Sequence, residues 1–112
     1  MSNLEIDSRA FLSSLDEYQE NVLERLQKDI EKAALTLEKD AKENCPVDTG
    51  RLRASITTKV GKLEAEVGTN VEYAPSVEFG TSKQKAQPFM RPALDKAITQ
   101  LNKDMAKTLG GK

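Results

Sequence analysis

The sequence predicts an α+β fold in which a long N-terminal helix and a C-terminal helix pack on a small antiparallel β-sheet. Three observations carry that expectation. Apolar residues recur at steps of three and four from Leu15 to Ala41 and again from Ala93 to Leu109, the mark of one buried helical face. Between these stretches, residues 55–67 are rich in β-branched types and alternate apolar with polar, the period of a half-exposed strand. Pro46 divides the two regimes, because it lacks an N–H and biases Cys45 away from the α region.

At the N-terminus, Leu4-Glu5-Ile6 alternates briefly, as an edge strand would. Asp7 or Ser8 is placed to cap a helix carrying Phe11, Leu12 and Leu15, and Ser14 with Glu17 offers a capping box as a second start. One bent helix and two helices are both compatible with this pattern, and residues 1–14 are expected to form an arm of a single domain, 1–112. The main stripe reads Leu15, Tyr18, Val22, Leu26, Ile30, Ala33, Leu37, Ala41 and predicts a helix to about Asn44. At 1.5 Å per residue that helix is roughly 45 Å long. A domain of this size has a radius of gyration of only about 13 Å, so the helix must overhang its own globule or lie along a neighbour. Leu23 and Leu35 sit off the stripe, as a second contact face or as a widening of the first. Glu20, Glu24, Lys28, Glu31, Lys32 and Lys39 read as the solvated side.

The stretch after Pro46 is expected to turn a corner. Asp48 and Thr49 are N-cap types, Gly50 tolerates unusual dihedrals, and Arg51-Leu52-Arg53 follows as a helical turn. The chain should then enter a strand at Ser55-Ile56. A hairpin of residues 55–60 and 63–67, turning at Gly61-Lys62, presents one apolar and one polar face. Gly68-Thr69-Asn70 is a further turn. Pro75 excludes a central strand from residues 71–79, and a short helical turn there should point Tyr73, Val77 and Phe79 inward. Residues 80–87 have almost nothing to bury and are expected to form a mobile loop. Pro92 suits the first position of the last helix, whose stripe is Ala93, Leu94, Ala97, Ile98, Leu101, Met105 and Leu109. Gly110-Gly111 is its stop.

At 112 residues with 38% hydrophobic and 4% aromatic content, the core is thin, which favours partner surfaces. No apolar run approaches the ~20 residues of a membrane span, and the N-terminus lacks a basic-then-apolar signal pattern. A soluble protein made in a cytoplasm is the expectation. The chain has no histidine and a single cysteine. That removes the commonest general base, the His-activated nucleophiles, internal disulfides and multi-cysteine metal sites. No enzyme activity, catalytic residue, metal or cofactor is therefore expected. Glu64 and Glu66 fall on the polar side of the hairpin, and Cys45 reads as a structural thiol rather than a nucleophile.

Residues 1–50 hold twelve Asp/Glu and six Lys/Arg, net −6, and residues 51–112 hold six and eleven, net +5. Such a chain can pack head-to-tail on copies of itself, although two solvated faces would read the same way. Arg51, Arg53, Lys83, Lys85 and Arg91 would form one basic patch if the corner and loop lie together. Aromatic interleaving, which would favour single-stranded nucleic acid, is absent. Arg51 and Arg53 are expected to pair with acidic groups, within the fold or on an adjacent subunit.

Three segments go beyond generic patterning: Pro46-Val47-Asp48-Thr49-Gly50-Arg51-Leu52-Arg53-Ala54-Ser55-Ile56, then Tyr73-Ala74-Pro75 through Val77-Glu78-Phe79-Gly80-Thr81, then Gln87-Pro88-Phe89-Met90-Arg91-Pro92-Ala93-Leu94. Each is weak alone, but in this order and spacing they resemble the HK97 gp10-like family of tailed-bacteriophage head–tail joining (neck or tail-completion) proteins. The family often has alanine at Cys45, which implies a small packing slot, and an aromatic at Ser76. The resemblance implies a structural virion protein at the head–tail junction, assembled in the host cytoplasm as a homo-oligomeric ring, with a hexamer as the working number. Its partners would be other phage neck, head-completion and tail proteins. DNA would pass through without sequence-specific contacts, and no membrane is involved. On this reading the Leu15–Asn44 helix with Leu23 and Leu35, and the corner with Asp48, Arg51 and Arg53, form subunit contacts. The Gly80–Gln87 loop with Lys83 and Lys85, and Arg91 beside it, would meet the next component. A nucleic-acid-binding module using the basic C-terminal half is the alternative.

Overall fold

The computed structural model describes the backbone of residues 8–46 and 50–110, with side chains described from Asp16 onward. The proposed strand at Leu4–Ile6, the cap at Asp7 and the corner residues Val47, Asp48 and Thr49 lie outside the described residues. The elements run α1 (Ser8–Asn44), α2 (Gly50–Ser55), β1 (Thr57–Gly61), β2 (Glu64–Gly68), α3 (Ala74–Phe79) and α4 (Arg91–Gly110). The fold is α+β, with two long helices and a two-stranded antiparallel sheet.

α1 is one continuous helix of 37 residues, which resolves the choice between one helix and two. It stops where Pro46 requires. α4 returns antiparallel along its C-terminal half, and the crossing is lined by the alanines Ala34, Ala41, Ala93 and Ala97, all buried. Small side chains let two helical backbones approach closely without voids. Leu37, Cys45, Leu52, Ile56, Val71, Ala74 and Phe89 complete the core, and no polar residue is buried among the described ones. Polar contacts fasten the rim of the helix pair. Thr108 Oγ1 donates to Asp29 at 2.7 Å, while Lys32–Asp104 and Lys96–Asp40 form ion pairs at 3.6 Å.

Among the described residues, the N-terminal half of α1 makes no such polar contact. From Ser8 to Leu26 the helix runs on for roughly 28 Å at 1.5 Å per residue, giving an elongated molecule of 71 × 23 × 22 Å with a radius of gyration of 20.4 Å. The apolar stripe continues onto this arm, where Tyr18 is 61% exposed.

The hairpin pairs Thr57 with Gly68 through to Gly61 with Glu64, so Lys62 and Leu63 form the turn. This shifts the expected turn by one residue and takes Leu63 out of the strand. Leu63 stands at φ 55°, a left-handed conformation that costs a leucine about 1 kcal/mol. Gln27 of α1 offsets that cost by holding both sides of the turn. Its Oε1 accepts the Leu63 N–H at 2.6 Å and its Nε2 donates to the Gly61 carbonyl at 3.0 Å. The faces follow the predicted alternation. Thr58, Val60, Ala65 and Val67 share one face, and Thr58 Oγ1 donates to Glu38 of α1 at 2.7 Å.

Three smaller expectations change. Ser55 stays helical because its hydroxyl donates back to the Leu52 carbonyl at 2.7 Å, so the strand begins at Thr57. Pro92 takes the second position of α4, after Arg91. Phe79 points outward and is 79% exposed. It lies two positions from Val77, about 200° around a helix, so one short helix cannot bury both.

Candidate functional site

The three motif segments of the sequence meet at the C-terminal end of α1, and polar contacts weld them there. Asn44, the last residue of α1, donates through Nδ2 to the Phe89 carbonyl at 3.1 Å. Arg53 of α2 donates through Nη2 to the Cys45 carbonyl at 3.2 Å, placing a cation at the electronegative end of α1. Glu78 of α3 supplies the cap that α4 lacks locally. Its Oε1 accepts the N–H groups of Phe89 (3.2 Å) and Met90 (2.9 Å), and its Oε2 that of Arg91 (3.1 Å). These donors at the helix start have no intrahelical acceptor, and a carboxylate there meets the positive end of the dipole. Gln87 N–H, donating to the Val77 carbonyl at 2.8 Å, closes the loop between the second and third segments.

Arg51 grips Glu72 with both terminal nitrogens, at 3.2 and 2.9 Å, and its guanidinium lies 5.4 Å from the Tyr73 ring centroid. Glu72's own backbone N–H and then Arg51 hold its carboxyl below the usual carboxylate value. The pair is solvent-exposed, so it orients the corner more than it stabilises it. Arg51 thus pairs with an acid inside the chain, as expected, whereas Arg53 does not. Its partner is a carbonyl, because α2 aims it at the end of α1, and its buried Nε has no hydrogen-bond partner. Cys45 is buried, and burial raises its thiol pKa above the ordinary value. Both features suit a packing role rather than reactivity.

The segment 80–87 folds on Thr81, whose Oγ1 accepts the N–H groups of Lys83 (3.1 Å) and Gln84 (3.0 Å). Gly80 has φ 79°, and a Cβ there would lie 2.7 Å from Ala86 N, so only glycine fits. Lys83 and Lys85 project into solvent from this turn. Arg91 pairs with Asp95 through Nε at 3.2 Å. The chain therefore gathers the five predicted cations at one end of the rod. Arg51, Arg53 and Arg91 are engaged within the fold there, and the two lysines face outward.

Leu23 and Leu35 are exposed. Twelve positions apart, they lie about 120° from each other around α1, so they do not form a single face. Leu23 borders a shallow depression with Gln27, Lys62 and Leu63. An apolar groove of about 320 Å³ opens between α1, the hairpin and α4, lined by Ile30, Leu37, Ala65, Leu94 and Ile98, with Glu64 at its side. Among the described residues no group of three or more Cys, Asp or Glu is placed to hold a metal ion. No helix among them is long and apolar enough to cross a membrane.

Sequence reasoning missed Gln27 and Glu78. Their partners lie 34 to 36 and 11 to 13 positions away, outside any local motif. The only local hint for Glu78 was the absence of a Ser, Thr, Asp or Asn directly before α4.

A family model described as "Bacteriophage HK97-gp10, putative tail-component" matches residues 9–80, well over half of the chain. No curated protein and no solved structure matches.

Proposed function

The chain belongs to the HK97-gp10-like family, and from that premise we propose that it is a structural subunit forming a ring at the head–tail junction of a tailed phage. In that position it joins head to tail or completes the tail. The observation that supports this reading is the overhanging half of α1. An amphipathic helix that leaves its own globule with Tyr18 exposed and its stripe continuing leaves an apolar face that a second chain would cover. The thin, alanine-rich core and the 71 Å length suit a part that reaches its final stability in an assembly.

Electron microscopy of lysates from a phage lacking this gene tests the reading. Filled heads and finished tails lying apart are expected, and tails of abnormal length would assign completion rather than joining. Normal infectious particles would refute it. Deleting Lys83–Lys85 should leave the fold intact and weaken joining, and unchanged infectivity would count against a docking role for that loop.

Nucleic-acid binding by the basic C-terminal half is the competing reading. It needs cations free to meet phosphates, and three of the five gathered at the rod end are already engaged. It predicts duplex binding that falls steeply with salt, which filter binding at two ionic strengths would detect.

A further inference from the structure

We propose that the arm of α1, Asp16–Glu24, seats on the cationic end of a second copy of this chain, against Phe79 between Lys83 and Lys85. This rests on the reading of the chain as a ring subunit, and it names the contact that joins the copies.

The arm holds Asp16, Glu17, Glu20 and Glu24 with no lysine or arginine between them. Tyr18 and Val22 lie one turn apart on the same side of the helix and extend the stripe that packs further along. Tyr18 is 61% exposed there, so a covering partner would remove apolar surface from water. The far end of the rod offers the complement. Phe79 is the most exposed large apolar residue described, at 79%. In the segment that follows, Lys83 and Lys85 are exposed, on a turn in which Thr81 Oγ1 accepts the N–H groups of Lys83 and Gln84. The other cations at that end are occupied by Glu72, Asp95 and the Cys45 carbonyl.

Acid with an aromatic at one end and base with an aromatic at the other favours contacts between unlike ends. Two arms side by side would bring eight carboxylates together. Repeated from copy to copy the contact is heterologous, the type that closes into a ring when the rotation per copy allows, whereas a reciprocal antiparallel pair would stop at a dimer. The groove between α1, the hairpin and α4 is a poorer seat, since the charged residue lining it is Glu64, of the arm's own sign. One arm buries less than the roughly 800 Å² per partner of a stable complex. Each contact is then weak alone, and ring closure makes the contacts cumulative.

Cysteine trapping tests the contact. One protein carries Tyr18→Cys and another Phe79→Cys, both at exposed positions, with native Cys45 buried and out of reach. Mixed at low salt and oxidised, they should give the 18–79 cross-link in about tenfold excess over either like-with-like product, and about 0.5 M salt should suppress it. Lys83→Glu with Lys85→Glu should lower the yield about tenfold, and Glu17→Lys with Glu20→Lys in the other protein should restore it. Equal yields of mixed and like products, no cross-link, or a yield indifferent to charge reversal would each overturn the proposal. A virion-assembly defect on gene deletion without the 18–79 cross-link would mean that the ring is built through another face. A cross-link without that defect would leave the contact standing and remove the junction role.

Discussion

Replacing Glu78 should loosen the start of α4, and the size of the effect follows from its three acceptor contacts. In Glu78→Ala, the N–H groups of Phe89, Met90 and Arg91 lose a carboxylate at 2.9 to 3.2 Å. Losing a capping side chain costs typically ~1 kcal/mol, and removing a negative charge from a helix start costs a further 0.3–1 kcal/mol or so. Arg91 is exposed, so water can replace its partner, but Phe89 is only 2% exposed and water reaches its amide poorly. The total is about 2 kcal/mol. For a chain of this size each kcal/mol lowers Tm by about 4 °C, so a drop of about 8 °C is expected in circular dichroism melts of dilute protein. Glu78→Gln keeps Oε1 for Phe89 and Met90 and loses the charge and the Arg91 contact, so it should cost about half as much. Hydrogen exchange should quicken first at the amides of residues 89–91. A Glu78→Ala protein within about 0.5 kcal/mol of wild type, or a Gln variant as damaged as the Ala variant, would refute the remote cap.

Gln27→Ala removes both anchors of the hairpin turn and should cost about 1–3 kcal/mol, at 0.5–1.5 kcal/mol for each of the two bonds; urea unfolding reads the loss, and faster exchange at the Leu63 amide localises it. Leu52 is fully buried, so Leu52→Ala should cost about 2–5 kcal/mol, a fall in the urea midpoint that an exposed control such as Leu35→Ala should not show. Native Cys45 should react with a thiol reagent at neutral pH about a hundredfold or more slower than an unfolded control; fast labelling of the folded protein would contradict its burial. Glu38 has its pKa lowered, first by the Thr58 hydroxyl and then by Lys42. A group depressed in the folded state contributes stability above its unfolded value and loses it as pH falls through the folded one. The melting temperature should therefore drop below about pH 4.5, and Glu38→Gln should flatten that limb of the profile.

Much of the fold was legible because it rests on periodicity. The stripe from Tyr18 to Ala41, the alternation of residues 57–67 and the stop at Pro46 are local properties of the chain, and the structure realises them. Errors arose where a local pattern had two physical solutions. Leu63 fits the strand alternation, but the register of Thr57 on Gly68 puts it in the turn. Phe79 is an inward residue by hydrophobicity, but α3 is too short to bury it with Val77. At the candidate site, the arginines of the corner were legible as residues that need partners. Which partner each takes was not, because Glu72 and the Cys45 carbonyl are placed by different elements.

Sequence alone, then, determined the elements, the absence of histidine chemistry, the division of charge between the halves and the motif spacing that marks the family. Those depend on residue type and on neighbours within a few positions. Tertiary structure alone decided that Glu78 caps α4, that Gln27 holds the hairpin and that Arg51 and Arg53 take Glu72 and the Cys45 carbonyl as partners. Each of these joins residues on different elements, and the distance between elements is set by how the alanine-lined helices and the buried Leu52 and Ile56 pack.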